Sequence, residues 1–170
     1  MRLCIILFLS LSFISNFNIT NKPRPLQDSD LQANGIYIGM SKVEVYDILD
    51  PRFDFTGGLK DAFTGKWKYQ YGDDVGITVF IDSSLKVIRL DVDAHYMPTF
   101  RGLRVGETSA EALELYGNPD HKDDESWYYY YKGDHNRGMM LNFLNENSEI
   151  SDTLSSYIIG YIGDITEIYY

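Results

Sequence analysis

The chain passes twice through the same order of hydrophobic patterns. A stretch with the 3.6-residue period of a helix follows Gly39, and another follows Gly106. In each stretch the apolar positions form one stripe and the charged positions lie opposite, which predicts an amphipathic helix. The residues expected on the buried stripes are Val43, Val45, Ile48 and Leu49 in the first helix and Ala112, Leu113, Leu115 and Tyr116 in the second.

Runs of alternating apolar and polar residues follow each helix, and a period of two is typical of strands with one covered face. Glycine and aspartate clusters separate the runs, as expected for hairpin turns. We therefore predict an α+β fold of two tandem repeats, each a capped helix packed on one face of an antiparallel β-meander. A short second helix around residues 59–63 would make the first unit a helix pair. The residues expected to face the helices are Trp67, Tyr69, Tyr71, Ile77, Val79, Ile81, Ile88, Leu90, Val92, Trp127, Tyr129, Tyr131, Met139, Leu141 and Phe143.

The two helix openings align without a gap at an offset of 67 residues. The aligned pairs are Gly35 and Gly102, Gly39 and Gly106, Ser41 and Thr108, and Glu44 and Glu111. A Ser or Thr three positions before a Glu is the sequence pattern of a capping box, in which each side chain bonds to the other residue's backbone N–H. The duplication therefore predicts two helices that begin in the same way, closed by Pro51 in the first repeat and by Gly117 in the second.

Composition divides the chain into four segments. Residues 1–20 have a single charge, on Arg2, and a nearly unbroken apolar run, which predicts a secretory signal peptide or, alternatively, an uncleaved N-terminal anchor. Residues 21–34 are polar with two prolines and are expected to form a flexible tether. Residues 35–98 form the first repeat and residues 99–170 the second. Cys4 is the only cysteine, so we expect no disulfide and no Cys-ligated metal in the exported part.

The formal net charge of -10 narrows the range of partners. An acidic chain without a cluster of Lys and Arg disfavours binding to nucleic acid or to an anionic membrane surface. Aromatic residues make up 15% of the chain, and aromatic side chains are enriched where proteins contact each other. We therefore expect a protein or cell-envelope partner in an extracytoplasmic location, with contact to a membrane only through an uncleaved N-terminal segment.

The outward side chains of the aromatic strands are the candidate binding site. In the second repeat tyrosines take outward positions that polar residues hold in the first repeat. Fixed aromatic rings supply a large contact area at little cost in entropy, which favours a partner-binding patch. The alternative is that other parts of the chain cover these residues, which would make the face a seam between the repeats. The candidate contact residues are Tyr128, Tyr130, Lys68, Phe80 and Met140.

Other polar residues do not indicate chemistry. Asp91, Asp93 and His95 share one side of a predicted strand, but residues two apart are separated by about 6.6 Å, which favours a solvated face over a metal site. The acidic loop 120–125 lacks the glycine and the spacing of a calcium loop, and the other two histidines are expected at the surface. The sequence has no hydrolase elbow, no His-Glu-x-x-His and no P-loop. We therefore expect no catalytic activity, no metal and no cofactor.

The helix openings resemble those of known exported modules. I-G-x-S-x-x-E-V at residues 38–45 and V-G-x-T-x-x-E-A at residues 105–112, each followed by a Trp/Tyr strand, look like the tandem-repeat modules related to beta-lactamase inhibitory protein. They are also similar to the small lipoprotein domain of the outer-membrane barrel-assembly machinery. The resemblance covers residues 35–170 at the level of the repeat plan.

This resemblance implies a use for the sheet. In the inhibitor family two helix-and-sheet repeats lie side by side, the open aromatic face holds a protein, and an acidic hairpin of the first repeat enters the partner's active site. Asp73 lies in the corresponding hairpin here and joins the candidate contact residues. The inhibitors have a disulfide in each repeat, whereas this chain has no cysteine in either. The barrel-assembly relative is a single lipid-anchored unit, and this chain has neither feature.

The sequence thus predicts an exported, non-catalytic module that binds a protein or cell-envelope component on an open sheet face. Two other classes remain open at this stage. One is a structural component of envelope assembly, and the other is a metal-dependent or hydrolytic activity that would involve Asp91 and His95.

Overall fold

The computed structural model describes residues 24–49, 55–60, 67–71, 76–145, 147 and 149–163, with backbone alone described for 55–60 and 67–71. The helices in this part of the chain are α1 (Lys42–Leu49) and α2 (Ser109–Tyr116), and Asp28–Asp30 is a 3-10 turn. The strands are β1 (Gln32–Ala33), β2 (Ile36–Tyr37), β3 (Phe55–Lys60), β4 (Trp67–Tyr71), β5 (Ile77–Ile81), β6 (Val87–Val92), β7 (His121–Lys122), β8 (Ser126–Tyr131), β9 (Asp134–Asn142) and β10 (Ser156–Tyr161).

Both helices begin with the predicted capping box. At α2, the Thr108 hydroxyl accepts a hydrogen bond from Glu111 N at 3.4 Å, and the Glu111 carboxylate accepts one from Thr108 N at 2.7 Å. Ser41 and Glu44 make the same two bonds at α1, at 3.4 and 2.9 Å. These bonds satisfy N–H groups that the first turn of a helix leaves without partners. As predicted, α2 ends at Gly117, whose φ of 72° suits a residue without a Cβ.

A set of backbone hydrogen bonds joins the start of each helix to residues at the start of β6 or just before β6 and β10. Gly39 N donates to Val87 O at 2.8 Å, and Gly106 N donates to Leu154 O at 2.8 Å. Both glycines have positive φ, 96° and 95°, which allows the chain to turn sharply into the helix. The other bonds of the two joints are Lys42 N to Leu85 O (3.0 Å) and Val87 N to Met40 O (2.9 Å), and Ser109 N to Asp152 O (2.9 Å) and Leu154 N to Glu107 O (2.8 Å).

Most of the strands form one antiparallel sheet in the order β3-β4-β5-β6-β10-β9-β8-β7. The last strands of the two halves, β6 and β10, pair at its centre, where Asp91 lies opposite Ile158 and Val92 lies opposite Tyr157. A separate two-stranded sheet is formed by β1 and β2. The structure thus confirms an α+β fold with two helices and antiparallel sheets.

The core lies between the helices and one face of the large sheet. Val45, Leu49, Ala112 and Tyr116 are buried as predicted. Val43 was expected on the same stripe but is 69% exposed. Residues two positions apart lie about 200° apart around a helix, so residues 43 and 45 cannot both face the sheet. The remaining stripe residues are half-buried and pack against the core: Ile48, Leu113 and Leu115.

The strand predictions are confirmed at most positions where side chains are described. Ile88 is an exception, because the pairing of β5 with β6 shifts between Phe80 and Ile81. This bulge places Arg89 opposite Phe80 and Val87 opposite Ile81, so Val87 takes the buried position and Ile88 is half-buried. The confirmed helix-facing residues are Ile77, Val79, Ile81, Leu90, Val92, Trp127, Tyr129, Tyr131, Met139, Leu141 and Phe143. The side chains of Trp67, Tyr69 and Tyr71 lie outside the described part.

The edge strand β3 extends into the region where a short second helix was expected. Residues 59 and 60, expected in a short helix, pair in β3 with Lys68 and Trp67 of β4. The neighbouring glycines suggest a loop, but they lie in a strand whose register shifts between Phe55 and Gly57. Glycine is often found at such irregularities of a strand, so Gly57 and Gly58 do not indicate a loop here. Pro51 and residues 61–63 lie outside the described residues.

Residues 24–34, within the predicted tether, pack against the core. The buried residues of this segment are Leu26, Asp30, Leu31 and Ala33. The carboxylate of Asp30 accepts two hydrogen bonds from the Arg101 guanidinium, at 2.8 and 2.6 Å. Arg24 N donates to Tyr116 O at 3.1 Å, which ties the segment to the end of α2. The expected flexibility is therefore wrong for residues 24–34, and residues 21–23 lie outside the described part.

Candidate functional site

The sheet face that points away from the helices, called the open face below, carries the candidate contact residues. On β8 the side chains of Trp127, Tyr129 and Tyr131 belong to the core. Because side chains alternate along a strand, Tyr128 and Tyr130 point to the open face. Both are half-buried.

Strand pairing aligns residues into rows across the open face. The first row, from β8 to β4, is Tyr128, Met140, Ile158, Asp91, Thr78 and Gln70. The residues of this row on β8, β9 and β10 are apolar, and those on β6, β5 and β4 are polar. The apolar and polar parts of the open face therefore meet where β6 pairs with β10. Tyr128 and Met140 are direct neighbours and both are half-buried. The structure therefore brings together two of the predicted contact residues.

The next row along the strands separates the other predicted contacts. It consists of Tyr130, Gly138, Gly160, Arg89, Phe80 and Lys68. Two glycines lie between Tyr130 and the other half of the sheet. Phe80 lies on the predicted face but is only 8% exposed, with the Arg89 guanidinium 5.4 Å from its ring centre. Its expected exposure is therefore wrong. The Lys68 side chain and Asp73 lie outside the described part.

Two histidines extend the tyrosine pair into a line of four rings. The ring centres are 5.4 Å apart for His121 and Tyr128, 6.4 Å for Tyr128 and Tyr130, and 4.4 Å for Tyr130 and His135. We call these four residues the ring ladder. The two histidines at its ends were not predicted, because His121 pairs with Tyr128 only through the register of β7 and β8. The spacing of a short hairpin was the one signal that could have suggested this contact.

Carboxylates border the ring ladder. Asp123 accepts a hydrogen bond from the Tyr128 hydroxyl at 3.0 Å, and Asp120 accepts one from Tyr130 N at 2.7 Å. Burial, together with Asp123, raises the pKa of Tyr128, and burial, together with the charge of Asp120, raises the pKa of Tyr130. Both shifts have the sign expected beside negative charge. The two tyrosines of the ladder therefore have carboxylates as direct neighbours.

The acidic loop also has a structural role. Asp123 accepts hydrogen bonds from Glu125 N at 2.9 Å and Ser126 N at 2.7 Å, which fix the turn into β8. Burial opposes ionisation of Asp123, but these backbone bonds and the Tyr128 hydroxyl outweigh it and lower its pKa. Asp124 and Glu125 are exposed on the same turn. Residues 123–125 thus form a charged surface turn, as predicted, whereas His121 and Lys122 of the predicted loop lie in β7.

A shallow cleft of about 380 Å³ lies at the centre of the open face. Its polar lining consists of Thr78, Asp91, Asp93, Asn142 and Ser156. Arg89 donates two hydrogen bonds to the Asp91 carboxylate, so that charge is already paired. The cleft presents mainly hydrogen-bonding groups beside the apolar half of the first row.

The residues considered for a metal site have separate partners. Asp91 is bonded to Arg89, and Asp93 accepts a hydrogen bond from Gly76 N. His95 lies in the turn after β6, with its ring centre 5.4 Å from that of Tyr96. Among the residues that the structure describes, no group of three or more His, Cys, Asp or Glu is placed to hold a metal ion.

The open face therefore offers aromatic rings, a thioether, carboxylates and small polar groups, a combination suited to contact with protein side chains.

Within the described ranges, no helix has the length and apolar character needed to cross a membrane. Comparison of the chain with protein-family models, with curated proteins and with solved structures gave no match.

Proposed function

We propose that the chain is a tandem duplication, with residues 35–98 and 99–170 as its two units. The hydrogen bonds that join α1 to the sheet recur at α2, and every atom of the second set lies 67 positions after its counterpart. At the sheet centre, residues 90, 91 and 92 pair with residues 159, 158 and 157. Adding 67 to residue numbers 90, 91 and 92 gives 157, 158 and 159, which are the three residues on the opposite strand. A local two-fold axis through the Asp91–Ile158 pair would produce this antiparallel pairing of equivalent residues. The mirrored strand order supports the same proposal.

We further propose that this protein is a non-catalytic binding module that holds a protein or cell-envelope partner on its open face. The observation that carries this function is the cluster of Tyr128, Tyr130 and Met140 on the face away from the helices. Such side chains contribute large contact areas and lose few rotamers when they are covered. The resemblance to tandem-repeat inhibitor modules implies the same use of the sheet.

The proposed location is extracytoplasmic. Residues 1–20 combine one positive charge with an apolar run, which supports export through a signal peptide, with an uncleaved anchor as the alternative. In this setting the partner is a secreted protein or a component of the cell envelope.

Comparative affinity capture tests the binding function. The full chain, the Tyr128→Ala/Tyr130→Ala variant and a Tyr46→Ala control are immobilised and exposed to the envelope and medium of the source cells. Tyr46 is a suitable control because it is a 49% exposed tyrosine on α1, away from the open face. We expect the double substitution to change the free energy of unfolding by less than about 1 kcal/mol, as is usual away from the core.

The function predicts a species that the full chain and the Tyr46→Ala control retain and that the double variant loses at least tenfold. Purified, that species must bind the full chain directly in calorimetry. Equal retention by all three proteins would contradict the proposed function. If removal of residues 1–20 abolishes the cellular role while the double variant supports it, the chain is instead a structural component of envelope assembly.

A further inference from the structure

The rings of β8 differ in what lies over them. The Lys122 ammonium lies 4.6 Å from the ring centre of Trp127, and the Lys132 ammonium lies 4.6 Å from that of Tyr131. Tyr129 is buried, with its ring centre 5.5 Å from that of Tyr116 on α2. In the part of the chain that the structure describes, Tyr128 and Tyr130 have no Lys or Arg over their rings. Cations of the chain thus lie over Trp127 and Tyr131, whereas in the described part of the chain none lies over Tyr128 and Tyr130, which we call the central pair.

Carboxylates lie beside this central pair. Asp123 and Asp120 bond directly to Tyr128 and Tyr130, and Asp124 and Glu125 are exposed on the adjacent turn. Burial raises the pKa of both tyrosines, and Asp123 and Asp120 add to the shifts of Tyr128 and Tyr130, respectively. A negative ring face beside carboxylates attracts an ammonium or guanidinium group more strongly than either feature does alone.

The spacing of the two rings also restricts the occupant. Their centres are 6.4 Å apart along one strand. In an extended peptide, side chains on one side repeat every two residues, at a spacing of about 6.6 Å. Basic residues at alternate positions of an extended segment would therefore meet both rings at once.

We propose that Tyr128 and Tyr130 receive the lysine or arginine side chains of a basic, extended protein segment, whose cations lie on the two rings beside the carboxylates of the 120–125 loop. This inference rests on the proposed binding function and names the chemistry of the partner. The net charge of -10 favours association with such a segment over association with an acidic one.

Synthetic decapeptides test the inference with the full chain. The probe alternates serine and lysine. A second peptide, KKSSKKSSKS, has the same composition, but no two of its lysines lie two positions apart. A third peptide alternates serine and glutamate. Affinity is measured by fluorescence anisotropy, and proton NMR follows the lysine ε-methylene signals. We expect the alternating lysine peptide to bind about tenfold more tightly than either other peptide, with an upfield shift of these signals caused by ring currents.

Matched variants assign the binding to the rings and the charges. Tyr128→Leu/Tyr130→Leu should weaken the lysine peptide about tenfold and abolish the upfield shift. Tyr128→Phe/Tyr130→Phe keeps the rings and should bind the lysine peptide within about threefold of the unmodified chain. This second variant tests the role of the rings even if the leucine variant does not fold. Asp124→Asn/Glu125→Gln removes two exposed charges and should weaken binding about threefold. Tyr46→Leu/Asp47→Asn makes comparable changes on α1 and should have no effect.

Equal binding of the three peptides, or unchanged binding to the leucine variant, would overturn the inference. The proposed function is tested separately by affinity capture. If a partner is lost from the Tyr128→Ala/Tyr130→Ala variant while the lysine peptide shows no preference, the open face binds protein and the basic partner is wrong. If capture and peptide binding are both independent of the tyrosines, both proposals are wrong.

Discussion

Substitution of Arg101 tests whether residues 24–34 are part of the folded domain. The Asp30 carboxylate is 1% exposed and accepts two hydrogen bonds from Arg101. Arg101 also donates to Leu115 O and Pro25 O, each at 3.1 Å, and its guanidinium lies 4.7 Å from the ring centre of Tyr116. One side chain therefore joins the N-terminal segment to the C-terminal end of α2.

The expected magnitude follows from the charge that each substitution leaves behind. Arg101→Ala leaves the buried carboxylate without its cation, and breaking one side of a buried ion pair costs about 3–5 kcal/mol. Asp30→Ala should cost less, about 2–3 kcal/mol, because Arg101 keeps its carbonyl partners and its side chain is 18% exposed. The double variant should show a coupling energy of about 2 kcal/mol, since the two residues are in direct contact.

Urea denaturation measures these changes. Tryptophan fluorescence reports on the core, because the ring centre of buried Trp127 lies 4.8 Å from that of Phe143. Lys132→Ala is the control, since it breaks an ion pair with Asp28 in which both side chains are largely exposed, and its effect should be much smaller. If Arg101→Ala costs no more than Lys132→Ala, the segment is not held by this ion pair and the argument for docking fails.

Three further predictions concern the backbone and the core. Gly39→Ala and Gly106→Ala should each destabilise by about 1–2 kcal/mol and agree within about 0.5 kcal/mol in urea melts, because both positions have positive φ and open space around a Cβ; unequal losses would argue against the duplication. Gly138→Ala should cost more than about 2 kcal/mol, since its Cβ would lie 2.0 Å from Tyr129 O; a stable variant would contradict the close approach of β8 and β9. Burial raises the pKa of Tyr116 to about 12, so its contribution to stability is complete below pH 10 and is lost as pH rises towards 12. Tyr116→Phe removes this dependence, and the stability gap between the two proteins should narrow by about 1 kcal/mol between pH 9 and pH 11; a constant gap would show that the ring is not buried.

Local chemistry predicted the parts of the fold that depend on neighbouring residues. The capping boxes at Ser41 and Thr108 and the end of α2 at Gly117 each involve residues within a few positions of one another. The alternation of buried and outward side chains on β8 likewise needs nothing beyond the strand period. These features follow from the sequence because their physical causes are local.

The features of the structure that were not predicted from the sequence depend on contacts between residues far apart in the chain. The segment at residues 24–34 is polar enough to indicate a tether, but Asp30 finds its cation 71 positions later. The bulge opposite Ile81 depends on how two strands pair, so the alternating pattern of β6 alone assigned Ile88 to the wrong face. His121 and His135 likewise join the ring ladder only once β7, β8 and β9 are in register.

The candidate site shows that a strand pattern fixes the side of a residue but not its exposure. Phe80 and Tyr128 both lie on the open face, as their positions in the strands indicated. Phe80 is nevertheless buried, with Arg89 over its ring, whereas Tyr128 is half-buried and its hydroxyl donates a hydrogen bond to the Asp123 carboxylate. A cation of the same chain thus lies over the Phe80 ring, whereas in the described part of the chain no Lys or Arg lies over the Tyr128 ring, where we propose that a cation of another molecule binds. The contrast between these two rings is the physical reason to place the contact surface on β8 and β9 rather than across the whole sheet.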